Sequence, residues 1–172
     1  MKIAVLSDSH LKVGYTKEVI EFLKTQGAAY IIHAGDLCTK DNLETIKKAQ
    51  LPYVCVFGNN DNRLLRYAHE YNIKKEPYYF KIQEIKFKLM HLPFYLSSDD
   101  CQVVIFGHTH IFEAEVKEGT LFLNPGEVCA REKPLIEAVL LEINENEYII
   151  NYYTKEIHSE IFEKKEIRYD RK

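Results

Sequence analysis

Carboxylate, carboxamide and imidazole side chains recur along this chain in five short clusters. They are Asp8-Ser9-His10, Gly35-Asp36, Gly58-Asn59-Asn60-Asp61, His91 and Gly107-His108-Thr109-His110. These are donor types that hold divalent ions: hard oxygens from Asp and Asn, borderline nitrogens from His. Two ions held close together can activate water and stabilise a transferring phosphoryl group, so the set points to hydrolysis of phosphate esters. Taken singly, most of the clusters are ordinary. Asp8-x-His10 is short and common, Gly35-Asp36 is a turn sequence, and Gly58-Asn59 serves a turn as well as a ligand loop. His91 alone carries no argument. Only His108-Thr109-His110 favours a metal by itself. On an extended segment, side chains two residues apart share a face, which lets Asp8 and His10, or His108 and His110, point the same way. His33 lies inside an apolar run and reads as a satisfied core histidine. Asp41 reads as a helix cap, and Asp61 as an orienting group or the start of a helix. His69 and His158 lack a comparable setting and read as surface or packing residues.

The clusters gain meaning from the elements that carry them. Residues 2–6, 30–34 and 53–57 are apolar, strand-like runs, and each ends at a cluster. Between them, 16–24 and 41–49 have helical spacing of apolar residues, the first stopped by Gly27 and the second ending before Pro52. Residues 62–69 also look helical. Strand alternating with helix implies βαβ units and a parallel sheet. The second half is β-rich. Runs at 78–82 and 85–90 flank Gln83-Glu84, and a short apolar strand at 103–106 precedes Gly107. Hairpins are expected for 112–116 with 120–123 and for 136–143 with 148–153. Two sheets packed face to face with helices outside fit this order. Ligands at the carboxyl ends of strands are where open α/β sheets build sites.

The chain has 172 residues, 46% hydrophobic and 28% charged, which suits one domain with a packed core. A net charge of −3 and the lack of a basic stripe argue against strong duplex nucleic-acid binding. No apolar run is long enough to suggest a membrane span, and Met1-Lys2 leads straight into a strand, so a cytoplasmic protein is expected. Cys38, Cys55, Cys101 and Cys129 form no Cys-x-x-Cys pair and read as reduced, mostly buried thiols. The division expected is a domain over 1–154 and a charged extension over 155–172. In the extension, Ile157 and Ile161 suit a helical stripe or a mobile end. Homo-oligomerisation stays open.

In order, the motifs D-x-H, G-D, G-N-x-D, a lone His and G-H-x-H span residues 8–110, and Asn124-Pro125-Gly126 follows. This series resembles the calcineurin-like metallophosphoesterase superfamily, and within it the small bacterial and archaeal phosphodiesterase branch. The resemblance implies a four-layer α-β-β-α sandwich of two mixed sheets flanked by helices. It implies that Asp8, His10, Asp36 and His110 hold one ion and that Asp36, Asn59, His91 and His108 hold the second, with Asp36 bridging. It further implies hydrolysis of a small phosphate ester, most readily a diester, by metal-activated hydroxide. Manganese is the expected ion, with nickel, iron or zinc as alternatives. A phosphomonoesterase is the runner-up, and a non-catalytic scaffold on the same fold, as in the related retromer subunit, is the contrasting class.

The chain departs from the pattern twice. His91 is followed by Leu92-Pro93, and the stretch to His108 is short. Asn60 stands at the catalytic, substrate-contacting position where many relatives carry a histidine that protonates the leaving oxygen. Asn cannot donate by changing its ionisation state, and general acid catalysis contributes roughly 10²–10⁴-fold. Rates over a series of aryl phosphodiesters should therefore fall steeply as the leaving-group pKa rises. A flat dependence in fully metal-loaded protein would contradict this, and Asn60→His should flatten the slope.

Overall fold

A computed structural model describes residues 1–171. Strand β1 (Lys2–Leu6) alternates its side chains between two cores. Ala4 and Leu6 face one layer, while Ile3 and Val5 face the other. The same alternation continues through β2 (Tyr30–His33) and β3 (Tyr53–Val56), so this sheet is apolar on both faces. Helices α1 (Val13–Thr25) and α2 (Lys40–Lys48) cover one face through Val19, Ile20, Leu23, Leu43 and Ile46. Fully burying each such side chain contributes about 1.5–3 kcal/mol. Thr39, rather than Asp41, caps α2: its hydroxyl accepts the Asn42 N–H. The expected helix after β3 is a short 3₁₀ turn, Asn62–Tyr67.

The first sheet has seven strands. A two-residue strand β4 (Ile73–Lys74) pairs parallel to β3, and β10 (Leu135–Ile143) pairs antiparallel to β1. Strand β11 (Glu147–Glu156) pairs with β10, and β12 (Glu163–Asp170) pairs with β11 along the outer edge. The tail is therefore a turn and short connection carrying Ile157 and Ile161, followed by a strand, where a helical stripe or a mobile end was expected, and β11 itself runs to Glu156. Charged residues along β12 (Glu163, Lys164, Lys165, Glu166) stay exposed, which suits an edge strand. Tyr169 anchors it by donating from its hydroxyl to the Ala114 carbonyl.

The second sheet runs β5 (Tyr78–Ile82), β6 (Ile85–Leu89), β7 (Val103–Ile105), β9 (Thr120–Pro125) and β8 (Phe112–Lys117) in spatial order. Both hairpins expected from the turn residues are present. Phe87, Leu89, Val103, Ile105, Leu121 and Leu123 meet Ile3, Val5, Ile32 and Val54 in the core between the sheets. These two mixed sheets form the centre of the expected sandwich. Over the outer face of the five-stranded sheet the cover is the segment 91–101, whose Phe94 and Leu96 line hollows with Met90 and Phe106. Lys88 organises this segment from below. It is fully buried, and its ammonium donates to the Tyr95 and Ser97 carbonyls and to Asp99, 2.6 Å away. No helix among the described residues is long and apolar enough to cross a membrane.

Strands β1, β2 and β3 run parallel in one sheet, and β6 and β7 run parallel in the other. The loops that leave their carboxyl ends carry the five clusters. Backbone bonds join these loops: Asp8 N–H to Gly35 O, His10 N–H to Asp36 O, and Gly107 N–H to His91 O.

Candidate metal centre

Five of the clustered side chains leave the backbone at residues in the left-handed region. Their φ values are +54° at Asp8, +46° at His10, +58° at Asp36, +71° at His108 and +61° at His110. Asp and His enter this region more readily than most residues, yet each such position costs on the order of 1–3 kcal/mol. Convergence of Asp8 with His10 therefore does not come from an extended strand, as the spacing suggested. It comes from tight left-handed turns, which also send His108 and His110 to different places. Close approach at glycines makes room for these turns. A Cβ on Gly58 would lie 2.2 Å from Asp36 Oδ1, and one on Gly107 would lie 2.0 Å from Ser7 Oγ.

The side chains converge in two groups. Nε2 of His110 lies 3.2 Å from Asp8 Oδ1 and 3.4 Å from His10 Nε2. His10 Nε2 is 3.9 Å from Asp8 Oδ1 and 3.7 Å from Asp36 Oδ2. In the second group, Asn59 Oδ1 is 2.9 Å from His91 Nε2 and 3.0 Å from His108 Nδ1, and His91 Nε2 is 3.4 Å from Asp36 Oδ2. Neighbouring donors about 2.0–2.2 Å from one ion stand about 2.8–3.6 Å apart, close to these spacings. The same Asp36 oxygen faces both groups. Asp8 Oδ1 is buried, makes no well-formed hydrogen bond, and faces only the imidazole edges of His110 and His10, a setting that suits a cation. The donor set and this oxygen fit a pair of divalent ions.

The residues behind the donors fix their orientation. His91 Nδ1 donates to the Ala34 carbonyl at 2.7 Å, which leaves Nε2 free to bind an ion. Asp8 Oδ2 accepts from Ser7 Oγ and from the His108 N–H. Asn60 donates from its backbone to Asp36 Oδ1 (2.9 Å) and from its carboxamide to Oδ2 (2.7 Å), so here it holds Asp36. Asp61 accepts from the backbone of Leu37, Cys38 and Gly58, tying the β2 and β3 loops together. His33 is the core histidine its setting suggested. It bonds Ser9 and the Gly35 N–H, and burial pushes it down to about 3.

Two groups escaped the reading of the sequence. Glu127, fully buried just after Asn124-Pro125-Gly126, accepts from His110 Nδ1 and from the N–H groups of Glu132 and Lys133. It points Nε2 of His110 at Asp8. Cys129 has its sulfur 3.3 Å from Glu127 Oε2 and 3.9 Å from His110 Nδ1. Its ligand atom falls within 4.8 Å of those of His10 and His110, yet it stands on the side of the imidazole away from Asp8 and supports the ring from behind. A carboxylate directly after the Asn124-Pro125-Gly126 turn was the available signal for Glu127.

The electrostatics follow from this packing. Burial works to raise Asp36, but His91 and the Asn60 hydrogen bonds hold it well below the usual carboxylate range. Asp8 is lowered despite burial by His110, His91 and Ser7. Burial opposes charge on His110, yet Asp8, Cys129 and Glu127 carry it up to about 11. His91 is raised by Asp36 and Asp8 against its burial. Metal binding needs both imidazoles neutral, so it expels protons.

Residues 1–146 match the model of the calcineurin-like phosphoesterase superfamily domain. Phosphodiesterase MJ0936 of Methanocaldococcus jannaschii is 27% identical over 160 residues, covering 86% of this chain and 96% of that protein. The probable metallophosphoesterase YsnB of Bacillus subtilis is 32% identical over 136 residues, covering 74% of this chain and 75% of its own. In structure, Chaetomium thermophilum Vps29 superposes with a TM-score of 0.78 at 13% identity, covering 99% and 98% of the two chains, a likeness of fold.

Calorimetric titration with Mn²⁺ across the neutral range should show affinity climbing as pH rises, because Asp8, Cys129 and Glu127 hold a proton on His110 that the ion must displace. Glu127→Gln should weaken binding roughly 10- to 100-fold and flatten the climb. An affinity independent of pH, or untouched by the substitution, would contradict the roles given to these groups.

Proposed function

We propose that this chain, which belongs to the calcineurin-like phosphoesterase superfamily, hydrolyses phosphate esters with a pair of divalent ions and takes phosphodiesters as its main substrates. The observation that carries the reading is the single Asp36 oxygen facing His10 at 3.7 Å and His91 at 3.4 Å, beside the buried Asp8 oxygen. Asp8, His10, Asp36 and His110 hold one ion, and Asp36, Asn59, His91 and His108 hold the other. Manganese suits this mixture of carboxylate, carboxamide and imidazole, as do iron, nickel and zinc. When bound, the ions supply an activated water and positive charge for the phosphoryl oxygens.

The protein's own part is to place and tune. Asn60 keeps both oxygens of Asp36 turned inward, and its carboxamide stands at the exposed mouth of the site, where substrate enters. Asn59 contributes an oxygen without a charge, which leaves more positive potential for an anion. His108, exposed at the rim, borders the substrate side, while buried His91 and His110 form the floor. A monoanionic diester asks less positive charge of this site than a dianionic monoester, which supports the diester preference. The set of metal donors is complete, which favours hydrolysis over a purely scaffolding role on this fold.

The test is to strip the protein of metal, restore each divalent ion separately, and assay bis(4-nitrophenyl) phosphate beside 4-nitrophenyl phosphate. Activity should return with Mn²⁺ above all and favour the diester. Asp36→Asn and His108→Ala should each lower kcat by at least about 10²-fold, a loss of roughly 2.7 kcal/mol in transition-state stabilisation. Two bound ions per chain with no hydrolysis of either ester would overturn the reading.

A further inference from the structure

Arg131 lies outside the metal donors, yet one of its terminal nitrogens stands 3.1 Å from His110 Nε2. That nitrogen of the imidazole is the one turned toward Asp8. A lone pair given to an ion, or to a proton facing Asp8, is closed to the guanidinium, so the arginine donor at the edge of the centre needs another acceptor. The side chain is half exposed, and its Nε is tied to Glu132 at 3.1 Å, which keeps the remaining donors turned to the site. Charge points the same way. Two divalent ions, Asp8, Asp36 and a hydroxide leave about one positive charge. Buried Glu127 sits directly behind His110, hydrogen-bonded to its Nδ1 and to two backbone N–H groups. The Arg131 guanidinium adds positive charge at the front, where an anion would sit.

Arg131 also divides two open clefts. One, of about 400 Å³, is lined by His10, Leu11 and Lys12. The other, of about 370 Å³, is lined by His110, Ile111 and Lys133. Both volumes suit a small organic group. Each cleft presents an exposed apolar side chain directly after a metal donor: Leu11 is 73% exposed and Ile111 is 58% exposed. A phosphodiester has this form, with an anionic phosphorus centre and a substituent on either side.

Building on the hydrolase reading above, we propose that Arg131 grips a non-bridging oxygen of the substrate phosphate and that the clefts beside it seat the two arms of a diester. One arm lies against Leu11 and the other against Ile111. The guanidinium supplies paired, directional donors to phosphate, which the ammonium of lysine reproduces only as a point charge.

The experiment uses Mn²⁺-loaded full-length protein with metal content measured by mass spectrometry, inorganic phosphate binding by calorimetry, and kinetics on both nitrophenyl esters. Arg131→Ala should keep the wild-type metal content and bind phosphate roughly 10- to 100-fold more weakly. Arg131→Lys should recover part of that loss. Leu11→Asn and Ile111→Asn, which add no charge, should each raise KM for the diester severalfold, while at least one of them changes KM for the monoester far less, because the monoester has one arm and fills one cleft. Phosphate binding that ignores Arg131→Ala, or cleft changes that affect both esters equally, would overturn the proposal. Calorimetry separates the two failures: a wild-type protein that binds phosphate through Arg131 but cleaves neither ester refutes the hydrolase reading and leaves the phosphate grip standing.

Discussion

Asp36 places a buried carboxylate between two sets of imidazoles, and the rest of the site is arranged around its charge. Both Asn60 donors hold it from one side, and His10 and His91 face it from the other. Burying such a group is costly unless cations or hydrogen bonds surround it. Protonated imidazoles answer that need, which explains why His91 and His110 are raised while Asp8 and Asp36 are lowered. Under the proposed function, proton and metal are rivals for one set of atoms.

This arrangement needs a frame that resists relaxation. Two sheets supply it by bringing the carboxyl ends of β1, β2, β3, β6 and β7 to one edge. Cross-links such as His91 to the Ala34 carbonyl and His108 N–H to Asp8 join the two sheets at that edge. Left-handed turns at Asp8, His10, Asp36, His108 and His110 store strain that the packed cores beneath can hold. Glycines at 58 and 107 allow backbone and carboxylate to approach more closely than any side chain would permit.

Much of the fold was legible because apolar runs, turn residues and strand-to-helix alternation report local structure directly. The parallel strands, both hairpins and His33 in the core followed from such patterns. The tail was harder. Its Ile157 and Ile161 mimic a helical stripe, whereas its strand exists because β11 offers an open edge and Tyr169 reaches Ala114. The candidate donors could be picked out as residues, but how they converge could not: spacing suggests an extended face, and the backbone uses positive φ instead. Glu127, Cys129 and Arg131 come from a loop far along the chain, and their relation to His110 exists only in three dimensions.

The central claim is that Asp36 joins two ions in one centre. Electron paramagnetic resonance of the protein loaded with two equivalents of Mn²⁺ tests it most directly, because ions sharing a carboxylate oxygen couple magnetically. The account predicts the spectrum of an exchange-coupled pair. A spectrum of isolated, uncoupled manganese at full loading would contradict it.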